Sequence, residues 1–276
     1  MGGLYAGGTV ENYLSGVRAW HILHGLQWKL ERVKMNTLLQ GIEKMAPNTS
    51  HRQKRQPYMV DVIAAIQEQL NLDLPFDATV FACLTTCFWS IARVGELTVQ
   101  RIADFNPDEH VKQINVAKKK DRNNLEVTSI TIPCTKMDRI NGETIQWAWQ
   151  EGPTDPEEAL ENHFRVNNPG EYDHLFSYTI KGKRRALSRK AFLDRLRTAS
   201  TAAHVDSLNG HALRIGGTLE YLLRNISLET VKAIGRWKGE AFTLYLRKHA
   251  QILAPFLQAT PALHHEFVHV TMPRVR

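Results

Sequence analysis

Apolar residues at Val10, Tyr13, Leu14, Val17, Trp20 and Leu23 recur at helical spacing from Thr9 to about Leu26, with Thr9 suited to an N-cap. Lys29 to Met45 repeats the pattern with Leu30, Val33, Leu38, Leu39 and Ile42. Two such amphipathic helices are too few to enclose a stable core. Residues 46–57, APNTSHRQKRQP, break the pattern with a Pro near the start, a Pro at the end and polar residues between, and predict a linker. Pro57 to Gln69 predicts a helix opened by proline. Leu74 to Arg93 is apolar on nearly every face, which predicts a helix buried in the middle of a second domain.

From Val111 to Trp149 the period shortens. The runs VKQINVA, LEVTSITIP and ETIQWAW lean to β-structure, and KKKDRNN and KMDRING separate them. A three-stranded antiparallel sheet is expected, with Lys136 where the second strand meets its turn and Lys118, Lys119 and Lys120 in the first turn. Helical patterns resume at Asp155–Val166, whose first turn is acidic, and at about Ser188–Ala203. Further helices follow from Asn209-Gly210, from Ser227 to Gly235, and beyond Gly239 with Phe242, Tyr245 and Leu246. The fold class is therefore mainly α with a small antiparallel β-sheet (α+β).

Composition changes this picture in one respect. The chain has 276 residues, a formal charge of +7 and a pI of about 9.3, which favours a polyanionic partner. The positive charge is concentrated. Arg52, Lys54 and Arg55 lie in the linker, Lys118 to Lys120 in the first β-turn, and Lys181, Lys183, Arg184 and Arg185 in the run KGKRRALSRK. Each cluster is a solvated face or a contact for a phosphate backbone. The same choice holds for Arg18, His21, His24, Lys29, Arg32 and Lys34 on the first two helices. The longest apolar run, ATVFACLTTCFWSIA, is too short to span a bilayer, and no signal peptide is expected. The opening MGGLYAGGTV reads as a truncated or loosely ordered beginning. Three cysteines, Cys83, Cys87 and Cys134, suit a reducing compartment better than a disulfide framework or a zinc site. His265 and His269 have metal-ligand spacing but no evident third ligand, and no metal is expected.

The candidate chemistry lies in His211 to Arg247. His211 and Arg214 are three apart, Trp237 follows on the next helix, and Tyr245 comes eight residues later. An imidazole, a guanidinium, an indole N–H and a phenol suit a phosphoryl transition state attacked by oxygen. Upstream, Arg93 ends the buried apolar run in IARVGEL, where it must be paired or face a polar site; a salt bridge to Glu96 is the structural alternative.

The ordered set A-R-x-G-E-L, Lys on a β-turn, H-x-x-R, G-R-W, then Tyr eight beyond the Trp resembles the tyrosine recombinase (phage integrase) family. It is most similar to the eukaryotic branch found in Crypton-type transposons of fungi, through R-I-G after the His step and G-R-W before the Tyr. The resemblance runs from about residue 9 to 258, including the V-x-x-Y-L-S-G-V-R-A-W-H run. It implies a tyrosine-recombinase catalytic fold preceded by a partial helical core-binding domain. The expected divisions are 1–50 for a DNA clamp, shorter than the family's usual four helices, then 51–57 for a basic linker, 58–258 for the catalytic domain and 259–276 for a tail.

The resemblance also implies roles. Tyr245 is the nucleophile that forms a 3′-phosphotyrosine, Arg93 and Arg214 bind the non-bridging oxygens, and Lys136 protonates the leaving 5′-oxygen. His211 assists as a base or as a phosphate donor, Glu96 braces the site, and Trp237 stands where most of the family has His. Indole has no basic nitrogen, so Trp237 can orient and pack but not shuttle a proton. The chemistry needs no metal or cofactor. Double-stranded DNA is the implied partner, with a dimer on one site and a tetramer in synapsis, the segment ILAPFL being the candidate swap element between subunits. The implied setting is integration and excision of a mobile element in a nucleus. A catalytically silent domesticated DNA-binding protein and a type IB topoisomerase-like nicking-closing enzyme are the alternatives.

Overall fold

The computed structural model describes residues 2–50, 56–135, 138–207, 209–239, 242 and 252. It divides into two compact units, Met1–Arg55 and Gln56–Arg276.

The first unit holds helices α1 (Gly7–Leu23) and α2 (Arg32–Lys44), which pack on each other. Helix α1 begins two residues before the expected cap at Thr9, and its N-cap is Ala6. Only Gly7 and Val10 of the two helices are buried. Tyr13, Val17 and Trp20 stay exposed, as expected of a helix pair without a third layer.

The second unit is built around α4 (Pro75–Trp89), whose residues from Asp77 onward are all buried. It packs against α6 (Pro156–Asn167), α7 (Arg189–Ala202) and α8 (Gly210–Leu223), with α3 (Val60–Gln67) set against α7. Phe81, Leu84, Phe88, Trp89, Phe176 and Phe192 form the centre of one core. Buried polar side chains lock this packing. Arg195 of α7 grips Asp77 at the start of α4 through Nε–Oδ1 at 2.7 Å and Nη2–Oδ2 at 2.8 Å. The Trp89 indole N–H donates to the Thr154 carbonyl at 2.8 Å.

Strands β1 (Val116–Lys120), β2 (Glu126–Ile132) and β3 (Glu143–Trp147) form the expected antiparallel sheet in that order. Alternation buries Ile130, Ile132, Ile145 and Trp147 on one face. Two expectations fail here. Lys118 to Lys120 form strand β1, not a turn, because the β-run VKQINVA is broken by a 3-10 turn over Gln113–Asn115 and the strand begins only at Val116. The run KGKRRALSRK, for which the sequence predicts no strand, also enters a sheet: β4 (Ser177–Ile180) and β5 (Lys183–Ala186) form a hairpin. Its turn places Lys181 at φ 50° and Gly182 at φ 74°, the doubly left-handed geometry of a tight hairpin. The charge run hid the alternation that marks a strand.

Helix α8 reaches α4 and the main chain at Tyr58 more closely than side chains allow. A Cβ at Gly216 would lie 2.0 Å from the Tyr58 carbonyl oxygen, and one at Gly217 would lie 2.1 Å from that of Phe88. The glycine pair therefore fixes the depth and rotation of α8, which carries His211 and Arg214.

Two buried histidines give the second unit a pH signature. His163 Nε2 donates to the Leu175 carbonyl at 2.9 Å, and Nδ1 accepts from Asn167 at 3.1 Å. His174 Nδ1 accepts the Phe176 N–H at 3.1 Å. Burial lowers His163 from 6.5 to about 4 and His174 from 6.5 to about 3. Both stay neutral in the fold, while the unfolded chain takes up protons below 6.5. Stability should therefore be full above pH 6.5 and fall as pH drops toward 4, by roughly 1.4 kcal/mol per unit per histidine. Urea midpoints measured from pH 7 to pH 4 should decline steeply, and a flat profile would contradict the assignment.

Candidate active site

Helix α4 does not run to Arg93 as its apolar pattern suggests. It stops at Trp89 in a Schellman turn: Ala92 N–H bonds the Cys87 carbonyl and Ile91 N–H bonds that of Phe88. Ile91 occupies the left-handed position at φ 50°, unusual for a β-branched residue and costing about 1–2 kcal/mol. Arg93 then caps a new short helix, α5 (Val94–Leu97). The chain reverses direction within four residues, and Arg93 leaves the core at the mouth of a cavity.

Helix α9 (Leu228–Ile234) ends the same way. Arg236 N–H bonds the Ala233 carbonyl, Trp237 N–H bonds that of Lys232, and Arg236 takes the left-handed position at φ 58°. The turn sends Arg236 inward and folds Trp237 back over Gly235. A Cβ on Gly235 would lie 1.7 Å from the indole, so only glycine fits.

Arg214 sits between these two helix ends, 1% exposed. Nη1 donates to the Ile91 carbonyl and Nη2 to the Gly235 carbonyl. Both acceptors lie at helix C-termini, where the backbone dipole is negative and suits a cation. The Trp237 ring covers the guanidinium at 4.2 Å from its centroid. At least two of the five N–H groups of Arg214 are thus committed to main-chain carbonyls.

Arg93 does pair with Glu96, Nη1 to Oε1 at 2.6 Å, and remains one-third exposed. Glu96 also binds Arg236 Nη2 at 2.6 Å, and Arg236 Nη1 reaches Glu143 of β3 at 3.0 Å. Burial by itself would raise the Glu96 carboxyl. The Arg236 charge and the donors of Arg93 and Arg236 outweigh it and hold the group below its ordinary value. Sequence reading missed Arg236 and Glu143. The only signal was Arg236 inside G-R-W.

Arg93, Val94, Gly95, Arg189, Gly210, His211 and Arg214 line one cavity of about 230 Å³. Three of the expected site residues thus share a pocket, with Trp237 and Glu96 in direct contact with two of them. His211 is exposed in the first turn of α8, its N–H bonded to the N-cap Asn209 Oδ1 at 3.1 Å. Tyr245 and Lys136 lie outside the described residues, as do Arg52, Lys54, Arg55, ILAPFL apart from Ile252, His265 and His269.

The expected DNA contacts divide. Lys118 is held by Glu161 at 2.8 Å and Glu157 at 3.2 Å, and Lys120 pairs with Glu126 at 3.0 Å, both within the protein. The Lys118 ammonium is raised above its ordinary value, mainly by Glu161. Arg184 is a structural residue: it pairs with Asp173 at 3.1 Å and donates to the Asn167 and Asn168 carbonyls that end α6. Lys119, Lys181, Lys183 and Arg185 are exposed.

Removing Arg236 should take the Arg236 partner from the largely buried Glu143 and leave Glu96 with Arg93 alone. Arg236→Ala is expected to cost about 3–5 kcal/mol in urea unfolding. The double variant Arg236→Ala/Glu143→Gln should recover part of the loss, and strict additivity of the two changes would exclude the coupling.

No protein-family model matches the chain, and no curated protein matches it in sequence. Solved structures do. XerA recombinase is 14% identical over 88% of this chain and 74% of that one, with a TM-score of 0.45. A structure of FLP recombinase in a Holliday junction complex is 11% identical over 82% of this chain and 55% of that one, with a TM-score of 0.47. An Flpe–Holliday junction complex is 12% identical over 89% and 60%, with a TM-score of 0.47. The chain spans less than two thirds of the length of these two Flp chains.

Proposed function

We propose that the chain is a tyrosine-type DNA strand-breaking and rejoining recombinase, acting through a 3′-phosphotyrosine. One observation carries this reading: Arg93 and the His211–Arg214 pair, more than a hundred residues apart in sequence, line a single cavity. The ordered motif set that ends at Tyr245 supplies the rest of the argument.

In this reading a scissile DNA phosphate enters the cavity and its non-bridging oxygens meet Arg93 and Arg214. The charge that develops in the trigonal-bipyramidal transition state is stabilised by groups already fixed in place. Tyr245 attacks phosphorus, forming the Oη–P bond as the bond to the 5′-oxygen breaks. His211 takes the phenolic proton, and Lys136 gives a proton to the leaving 5′-oxygen. Trp237 secures Arg214 by stacking. Attack of a 5′-hydroxyl on the phosphotyrosine reverses each step and rejoins the strand, so the bond energy is conserved without a cofactor.

The second unit is the catalytic domain in this proposal, and the first is a partial DNA clamp joined by the basic linker. The R-I-G and G-R-W steps favour a Crypton-like element, integration and excision in a nucleus, and a tetramer at synapsis.

A nicked suicide duplex, selected from a randomised pool by the wild-type chain, should trap a covalent adduct that Tyr245→Phe abolishes. Sequence-specific binding without any adduct would instead favour a silent DNA-binding protein. Adducts without tetrameric synapsis would favour a nicking-closing enzyme. Trp237→His should retain measurable cleavage because a ring still covers Arg214. Trp237→Ala should lose about 10²–10³-fold, the scale of a lost transition-state contact. Equal rates for Trp237→Ala and wild type would reduce the residue to packing.

A further inference from the structure

Arg189 is the first residue of α7, and it lines the same cavity as Arg93, His211 and Arg214. Its side chain is exposed and belongs to no ion pair among the described residues. Among the described residues the lining therefore gathers three guanidiniums and an imidazole with no carboxylate. Glu96, the nearest counter-charge by bonding, is 7% exposed and already shared between Arg93 and Arg236. Like charges brought together in this way repel one another until an anion enters.

Donor accounting sharpens the point. Arg214 commits at least two N–H groups, to the Ile91 and Gly235 carbonyls, and Arg93 commits one to Glu96. Arg189 keeps its whole fork. Its position is fixed by main-chain bonding: Arg189 N–H bonds the Val99 carbonyl at 2.8 Å, and Val99 N–H bonds that of Leu187 at 3.1 Å. The Ser188 N-cap ties down the turn by accepting from Ala191 N–H. The guanidinium is thus presented from a rigid helix start, on an element different from those that carry Arg93 and Arg214.

We propose that Arg189 is a third phosphate-binding arginine of this site, contacting a non-bridging oxygen of the same phosphate that Arg93 and Arg214 hold. The inference rests on the recombinase reading and deepens it.

Two measurements test it on the full chain. In the Tyr245→Phe background, Arg189→Gln should reduce the slope of log affinity against log salt for a random-sequence duplex by about 0.9, the loss of one phosphate contact. With Tyr245 present, Arg189→Gln should slow adduct formation on the selected suicide duplex by about 100-fold, as expected for one missing transition-state donor. That deficit should shrink when a methylphosphonate replaces the scissile phosphate, because the charge Arg189 neutralises is then gone. Arg189→Lys should restore the salt slope while leaving part of the rate deficit, since an ammonium cannot fork. An unchanged salt slope, or equal rate deficits on phosphate and methylphosphonate, would overturn the assignment. Absence of any adduct from the wild-type chain would defeat the catalytic reading, while the salt slope would still decide whether Arg189 binds phosphate.

Discussion

The second unit depends on keeping one guanidinium out of water. Arg214 lies where a long cation is expensive, and the fold compensates with two helix C-termini, two carbonyls and an aromatic face. Each compensating group requires a local exception. Ile91 and Arg236 accept left-handed backbone where glycine is usual, and Gly235 gives up its side chain to the indole. The glycine pair in α8 lets the helix come close enough for the carbonyls to be reached. Core packing, helix termination and site geometry are thus parts of one arrangement.

The four arginines around this site divide the work according to what surrounds them. Arg214 is buried and largely committed to main-chain oxygen. Arg236 is buried between two carboxylates and links β3 to α5. Arg93 is braced by Glu96 on one side and open on the other. Arg189 is presented without a partner among the described residues. The gradient from structural to available runs toward the cavity mouth, so an incoming anion meets the most available donors first and the most rigid ones last.

Much of the fold was legible from periodicity. The apolar run of α4, the acidic start of α6, the Ser188 and Ser227 caps and the three-stranded sheet follow from patterns that local physics enforces. The end of α4 was not legible, because Ser-Ile-Ala carries no glycine and the left-handed turn at Ile91 is imposed by tertiary contacts with α8 and α9. The β4–β5 hairpin was masked by its own charges. Within the site, residue types at motif spacing pointed to Arg93, His211 and Arg214, but not to what each guanidinium touches. Partners such as the Ile91 and Gly235 carbonyls belong to the backbone, which a sequence pattern does not advertise. Arg184 shows the converse: in a basic run it looks like a DNA contact, yet its partners are Asp173 and the last carbonyls of α6.

The Gly235–Arg236–Trp237 turn has a consequence for how this chain can vary. A larger residue at 235 evicts the indole, loss of the indole uncovers Arg214, and loss of Arg236 leaves Glu96 with Arg93 alone and takes the Arg236 partner from Glu143. No single step away from the triplet is neutral. The three positions are epistatic, and drift through sequence space must carry them as one inherited block, exchanged whole or kept whole.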